Sequence, residues 1–315
     1  MTTTHRYKAA VIIPSRGGAD ILHYPLDALA AQTEKDFQVI VVLDGDIDNS
    51  EAVLDRYIAE GKLNLTKIVF EENRGRVAAL NAGHRAADAD ILIRCDDDLE
   101  PAADYVEVQI RLHRDYDGVI GTLKNVYPDT PYSQVYGNFR DARFKEGALS
   151  VAEEGRWLYW NGNSSISAEY FDHTGGYDPA YRLYGWEDVD MGKMVHDVGG
   201  RIIISDEVEV KHYAEATTTA VRALRALHSG SARTIFVRKH GDAAHPAPNP
   251  TGLWGFLVKT LARFTTEKTI KALGDASDKI LLKLPAKAAE KLVALQVEAA
   301  SYAGIHYPER AQKVF

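Results

Sequence analysis

From Ala9 to Gly121 the chain alternates between two textures. Short runs of apolar residues, Ala9–Pro14, Phe37–Leu43, Leu65–Phe70, Ile91–Cys95 and Val119–Gly121, are separated by longer segments of mixed polarity. A strand that is apolar on both faces belongs in a sheet covered on both sides, and helix-length connections pair such strands in parallel. The intervening segments predict helices over Ala19–Gln32, Ser50–Glu60, Gly75–Ala87 and Pro101–His113. Pro25 is a local complication in the first, Ser50 caps the second, and Pro101 takes the favoured first-turn position of the last. The pattern reads as an α/β fold with a mostly parallel central sheet flanked by helices.

The alternation breaks between Thr122 and Gly155, where Tyr127, Pro128, Asp129, Pro131, Tyr132 and Tyr136 predominate. This predicts a long irregular segment, and such segments inside compact domains are often functional. Order resumes over Trp157–Ser167, followed by a helix over Glu187–Val198 and two short strands, Ile202–Ile204 and Val208–Lys211. A further helix carries Arg222, Arg225, Arg233 and Arg238, read as a solvated basic face with diphosphate contact as the alternative. The proline-rich joint His245–Pro250 sets a boundary: residues 1–245 form the main domain, with halves 1–121 and 122–245, and residues 246–315 a helical C-terminal extension. Within that extension Trp254, Phe256, Leu257, Leu261 and Phe264 are expected on one apolar stripe, and Gly252–Val293 holds eight basic against four acidic residues. Docking on anionic lipid and a homodimer or domain-closing pack are both open for it.

Composition narrows the class. The net charge of −8 over 315 residues gives no electrostatic footprint for nucleic acid. Cys95 is the only cysteine, which excludes an intrachain disulfide and cysteine-rich zinc sites. It is expected to pack as a small hydrophobe. The start Met1–Lys8 is polar, without the apolar core of a signal peptide, and no apolar run reaches membrane-spanning length. The expected location is cytoplasmic, with peripheral attachment at the inner face of the membrane through the basic tail as the variant.

The chemistry concentrates at strand ends. Asp96-Asp97-Asp98 closes the fourth apolar run. Adjacent carboxylates repel, and burying them unpaired is costly, so a hard divalent cation would relieve them. A solvated acidic turn is the plain alternative. Ser15, Asp44 and Asn73 also follow strands, on the edge where open α/β sheets bind ligands. Each alone is equally a cap or turn former. Pro14-Ser15-Arg16-Gly17-Gly18 is neither GxGxxG nor a P-loop.

The ordered set Pro14-Ser15-Arg16, Asp44-Gly45, Glu72-Asn73-Arg74-Gly75, Ala79-Leu80-Asn81-Ala82-Gly83 and Cys95–Pro101 resembles family-2 glycosyltransferases of the GT-A fold. The likeness runs from Lys8 to His212. Asn161–Ser165, Gly175–Asp178 and Gly185–Asp190 are similar to the acceptor-side half of galactosyl- and N-acetylgalactosaminyltransferases. The resemblance implies a GT-A fold for residues 1–245 and a donor site made of Pro14, Ser15, Arg16, Asp44, Asn73, Arg76, Asn81, Asp96 and Asp97. Asp44 would hydrogen-bond the base, and Asp96 the ribose or sugar. Asp98 and His212 would hold Mn²⁺ or Mg²⁺. Asp188 falls where the family has its catalytic base, and Trp160, Asn163, Trp186 and Glu187 would face the acceptor; the two tryptophans read equally as core or as a sugar-stacking wall. Ser15-Arg16-Gly17 and Asp44-Gly45-Asp46 depart from the usual pattern, which bears on base selectivity.

These implications add up to an inverting, metal-dependent enzyme. It would move a sugar from a nucleotide sugar, most simply UDP-linked, to a hydroxyl of a glycan, a lipid-linked glycan or another surface polymer. A metal would offset charge on the leaving diphosphate, and a carboxylate base would take the acceptor proton. A nucleotidyltransferase would leave Glu187 and Asp188 without a role. A non-catalytic sugar- or nucleotide-binding protein on a degenerate transferase fold is the other alternative.

Overall fold

The computed structural model describes residues 6–182, 184–213 and 216–311. Strands β1 (Tyr7–Ser15), β2 (Phe37–Leu43), β3 (Leu65–Val69) and β4 (Ala89–Cys95) alternate with helices α1 (His23–Ala30), α2 (Ser50–Glu60) and α3 (Arg76–Ala86). Short β5 (Leu99–Glu100), helix α4 (Tyr105–Leu112) and β6 (Gly118–Val126) follow. Then come α5 (Asn138–Ser150), β7 (Asn163–Ser167), α6 (Ala168–Thr174), α7 (Glu187–Asp197) and β8 (Ile202–Tyr213). The remainder is helical: α8 (Thr219–His240), α9 (Gly252–Phe264), α10 (Glu267–Asp278) and α11 (Ala286–His306).

One sheet orders the strands β3-β2-β1-β4-β7-β6-β8-β5. β1, β2, β3 and β4 pair in parallel, as continuous apolar strands should. β7 runs antiparallel to both β4 and β6, β8 is parallel to β6, and β5 is antiparallel to β8. The carboxyl ends of β1, β2, β4, β6 and β8 therefore lie on one edge. Side chains alternate between two cores: Val11 and Ile13 of β1 join Val39, Val41 and Ile93 on one face, while Ala10 and Ile12 join Leu92, Trp160 and Tyr177 on the other.

Three details differ from the sequence expectation. Pro101 does not open a helix. Leu99 and Glu100 pair with His212 and Lys211 first, and α4 begins at Tyr105. Ile202–Tyr213 is a single strand rather than two, because the polar Asp206-Glu207 interruption bulges out where the β6 register jumps from Gly121↔Ser205 to Leu123↔Val210. The stretch expected to be irregular is largely helical, with a π-helical turn at Ser133–Gly137 running into α5 and a 3₁₀ segment at Glu153–Tyr159. Only Ala148 of α5 is buried, so the helix has no apolar period to read. Polar bonds hold it instead: Asp141 accepts from Asn125 and Tyr127, and Arg143 pairs with Glu290.

The C-terminal helices pack on α8 around Leu227, Val258, Val293 and Ala300. Gly230 and Gly304 let α8 and α11 touch, since a Cβ on Gly304 would stand 2.1 Å from the Leu227 carbonyl oxygen. The expected α9 stripe splits between two faces. Trp254 and Leu261 turn inward, whereas Leu253, Phe256, Leu257 and Phe264 are exposed. Among the described residues no helix is long and apolar enough to cross a membrane.

Two histidines lie inside this packing. His84 Nδ1 meets the Leu80 carbonyl at 2.8 Å and its ring stacks on Phe171, while His113 Nε2 meets Ser165 Oγ at 2.7 Å. Burial pushes the pKa of each down to about 4. Both are neutral in the fold, and the unfolded chain binds their protons first as pH falls below the ordinary histidine value. Their contribution is thus complete above about pH 6.5 and is lost progressively toward pH 4, roughly 2 kcal/mol per histidine at pH 5. Urea unfolding at pH 7.5 and pH 5 should show this fall, and His84→Gln should reduce it. An unchanged pH dependence in that variant would remove His84 from the account.

Candidate active site at the sheet edge

Four strand ends converge. Pro14 and Ser15 close β1, both buried, with Arg16 exposed beyond them. The Ser15 hydroxyl is buried and faces Asp97, whose charged form it favours. Gly18 passes so close that a Cβ there would lie 2.2 Å from Ser15 Oγ and 3.1 Å from Asp97 Oδ2. A small cradle between Ser15 and Asp97 thus depends on the bare backbone. Asp44, after β2, is buried, and its two oxygens accept from the Arg74 and Gly75 backbone N–H groups at 2.6 and 2.8 Å. Asn73 Oδ1 accepts from the same Gly75 N–H. Asp44 and Asn73 thus fix the Asn73–Gly75 loop that delivers Arg76 at the first turn of α3.

Asp96-Asp97-Asp98 follows β4 on this edge, and the residue that governs it is Arg94. Its side chain is 1% exposed and lies on the β4 face shared by Leu92. The guanidinium grips Asp96 bidentately, Nε to Oδ1 at 2.7 Å and Nη2 to Oδ2 at 3.0 Å, while Nη1 donates to Asp188 Oδ1. Burial opposes the charge on Arg94, yet Asp188 and Asp96 outweigh it and hold the group firmly protonated. Asp96 is also desolvated, but Arg94 and Arg76 keep its pKa below the ordinary value. Asp97 has no guanidinium bonded to it: burial, with Asp98 and Asp96 adding and only the Ser15 hydroxyl and Arg76 opposing, pushes it up to about 7. The sequence signal for Arg94 was a single arginine inside an otherwise apolar strand, a costly position unless paired.

Asp98 meets His212 across the β5–β8 pairing, Oδ2 to Nε2 at 3.1 Å. The other ring nitrogen, Nδ1, is held by Asn125 Oδ1, and Asn125 Nδ2 in turn donates to Asp141 Oδ2 at 2.6 Å. Burial lowers the His212 pKa, but the bond to Asp98 and its charge outweigh that and raise it overall. The space between imidazole and carboxylate is the one that a cation would take. One carboxylate and one oriented imidazole suit Mn²⁺ or Mg²⁺, with the imidazole favouring Mn²⁺. Among the described residues no cluster of three or more His, Cys, Asp or Glu side chains could hold a metal. Asp98 and His212 offer two ligands only.

Glu187 and Asp188 are the first residues of α7 and add to the favourable end of its dipole. The turn before them is strained: Trp186 has φ 73°, a region a bulky residue rarely adopts. Glu187 is buried, with Oε1 3.4 Å from Arg76 and Oε2 without a hydrogen-bond partner among the described residues. Burial raises the Asp188 pKa to about 7, Arg94 opposing and Glu187 and Asp96 reinforcing. Asp190 anchors the helix from below, taking Lys239 Nζ at 2.8 Å and His240 Nε2 at 2.6 Å.

Four of the expected contact residues are engaged within the fold. Asn81 spends both ends of its amide on the Tyr177 backbone, 2.8 Å to the carbonyl and 2.9 Å from the N–H, so it pins the Tyr177 turn rather than reaching the donor. Asn163 is fully buried. It accepts from the Tyr105 hydroxyl at 2.7 Å and donates to the Val208 carbonyl at 2.9 Å, beneath the sheet edge rather than facing an acceptor. Trp160 is core, wedged against Gly118 and Gly192. The Trp186 ring packs on Phe236 and His245. Of the two readings open for the tryptophans, core describes Trp160, and Trp186 is half-buried against the same cluster.

Residues 10–182 match the sequence model described as Glycosyl transferase family 2, and residues 153–218 that described as N-terminal domain of galactosyltransferase. Validoxylamine A glucosyltransferase of Streptomyces hygroscopicus subsp. jinggangensis (strain 5008) is 30% identical over 271 residues, 76% of this chain and 62% of that protein. An uncharacterized glycosyltransferase of Bacillus subtilis (strain 168), YfnE, is 26% identical over 61% of each chain. The chain therefore spans about three fifths of the length of these relatives. The fold is similar to mannosyltransferase PcManGT from Pyrobaculum calidifontis in complex with GDP-Man and Mn²⁺, with TM-score 0.64, 21% identity and coverage of 95% and 88%. It is also similar to S. aureus TarS 1–349 in complex with UDP-GlcNAc, with TM-score 0.54, 15% identity and coverage of 96% and 92%.

The placement of Asn163 can be checked directly. Truncation would orphan the Tyr105 hydroxyl and two strand carbonyls in a dry interior. Asn163→Ala is expected to lower the unfolding free energy by about 3 kcal/mol in urea denaturation. A loss below about 1 kcal/mol would show that other bonds carry this edge.

Proposed function

As a member of glycosyl transferase family 2, the chain has the α/β architecture of that family, and we propose that it is an inverting, metal-dependent glycosyltransferase. Its donor is a nucleotide sugar, UDP-linked in the simplest reading. Its acceptor is a hydroxyl on a glycan, a lipid-linked glycan or another surface polymer. Sugar-transferring relatives and the nucleotide-sugar complexes of similar folds support the donor class. The observation that carries the reading is Asp188, a carboxylate tied through Arg94 to the donor-side Asp96.

The cradle beside Ser15 and Asp97 and the Asp44-held loop receive the nucleoside. Asp96 takes donor hydroxyls. Asp98 and His212 would hold Mn²⁺ or Mg²⁺, which when bound offsets charge on the departing diphosphate, and donor phosphates and water would complete the shell. Asp188 accepts the proton of the acceptor hydroxyl as its oxygen bonds to the anomeric carbon. The bond from that carbon to the diphosphate breaks with its electron pair leaving on the diphosphate. Attack opposite the leaving group inverts the carbon. Glu187 lines the acceptor side of the same carboxylate, and Arg76, paired with Glu187, lies on the donor side where it acts on Asp96.

The base must be ionised, and its pKa is raised to about 7. Activity is therefore present above that value and lost as pH falls through it, giving kcat/KM an acidic limb near neutrality. Asp188→Asn should cut turnover by ~10²–10⁴-fold while donor binding persists. Donor binding is read by thermal stability with UDP-sugars and Mn²⁺, which must raise Tm if the native state binds them. Near-normal turnover in Asp188→Asn, or no Tm rise with any nucleotide sugar, would overturn the reading.

A further inference from the structure

We propose that Arg94 is a positioning residue that locks the donor-side carboxylate of Asp96 and the base carboxylate of Asp188 into one fixed relation. The proposal rests on the sugar-transfer reading of Asp188. Arg94 sits opposite Ile12 of β1 and Ser164 of β7, in the middle of the sheet rather than on a loop. Its backbone is thus held by a paired strand on either side. The Nε and Nη2 edge is bonded flat against both oxygens of Asp96. That fixes the guanidinium plane, and Nη1 can then point in only one direction, at Asp188 Oδ1. The Tyr177 ring lies over the group at 5.9 Å, and Asn81 pins the Tyr177 backbone. Taking Oδ1 leaves proton acceptance to the other oxygen of Asp188. A point donor such as lysine cannot serve both carboxylates with this geometry.

Electrostatics gives the proposal a second face. The groups that act on Asp188 are Arg94 from β4, Arg76 from α3, Glu187 from α7, Asp96 from the loop after β4, and Tyr177. Arg94 is the largest influence opposing protonation of the base. Removing its charge must make Asp188 harder to ionise, while keeping the charge and losing the fork must spare ionisation but loosen geometry.

Arg94→Lys and Arg94→Met separate the two effects. Arg94→Lys is expected to lower kcat about a hundredfold, as misplacement of reacting groups does, with the acidic limb of the pH profile unmoved. It should also raise the donor KM, and in an Asp188→Asn background, where turnover is absent, it should weaken donor binding. Arg94→Met should move the acidic limb upward by about one pH unit or more. If Arg94→Met does not fold, Arg94→Lys decides. Wild-type kcat, KM and limb in Arg94→Lys, beside an inactive Asp188→Asn, would overturn the proposal and leave the base assignment standing. Turnover retained by Asp188→Asn would sink the base assignment and this proposal with it.

Discussion

The site depends on one buried cation. Three carboxylates in succession at a sheet edge, with a fourth at the start of a facing helix, could not be gathered there without compensation. Removing an ion from water costs several kcal/mol even after relaxation, and only close pairing with satisfied hydrogen bonds recovers it. Arg94 supplies that compensation from inside the strand, with one nitrogen pair on Asp96 and the third nitrogen on Asp188. The consequence extends beyond the site. Asp188 opens α7, so the same guanidinium ties the second half of the chain to the fourth strand of the first. The compensation is uneven: Asp96, gripped by both oxygens, stays below the ordinary carboxylate range, whereas burial pushes Asp97, which has no guanidinium on it, and Asp188, which has one nitrogen on it, up to about 7.

Around that ion cluster the loops are held by polar bolts rather than by apolar packing. Loops at a sheet edge have no repeating face to bury, so single side chains must satisfy backbone groups that the sheet leaves over. Asp44 does this for Arg74 and Gly75, Asn81 for Tyr177, and Asn163 for Val208. Each stands at or just after the end of a strand, or on the helix that follows one. The same residue types that read as ligand contacts are therefore partly consumed in holding the ligand-contacting loops.

This explains which parts were legible in the sequence. The first four strands were plain because continuous apolar runs admit one arrangement, a covered parallel sheet. The strand-end carboxylates were singled out because strand direction puts them on one edge, whereas His212 was singled out only by the family resemblance. α5 was not found, since it buries one residue and is fastened by Asp141, Lys145 and Arg143 to partners far along the chain. Nor was the direction of Asn163, Trp160 and Trp186. Asn163 opens β7, and its direction follows the partner strands' register and the jump at Gly121; Trp160 and Trp186 stand in the turns before β7 and α7, whose course no apolar period reveals. Arg94 was legible in principle: an arginine enclosed by Ile93 and Cys95 requires a buried carboxylate partner, and the nearest ones follow it directly.

The unforeseen helix matters to the chemistry through His212. An imidazole has two nitrogens, and a cation can use only the one that carries no proton. Asn125 takes Nδ1, and Asn125 is itself held by Asp141 of α5, which also binds the Tyr127 hydroxyl. Asp141 accepts from the Asn125 amide, so the Asn125 oxygen must face His212, and an oxygen there requires the proton on Nδ1. Nε2 is then the nitrogen presented to Asp98. A helix lacking an apolar face thus selects the imidazole tautomer at the candidate metal pair, by the same outer hydrogen bonding that orients metal-binding histidines in general.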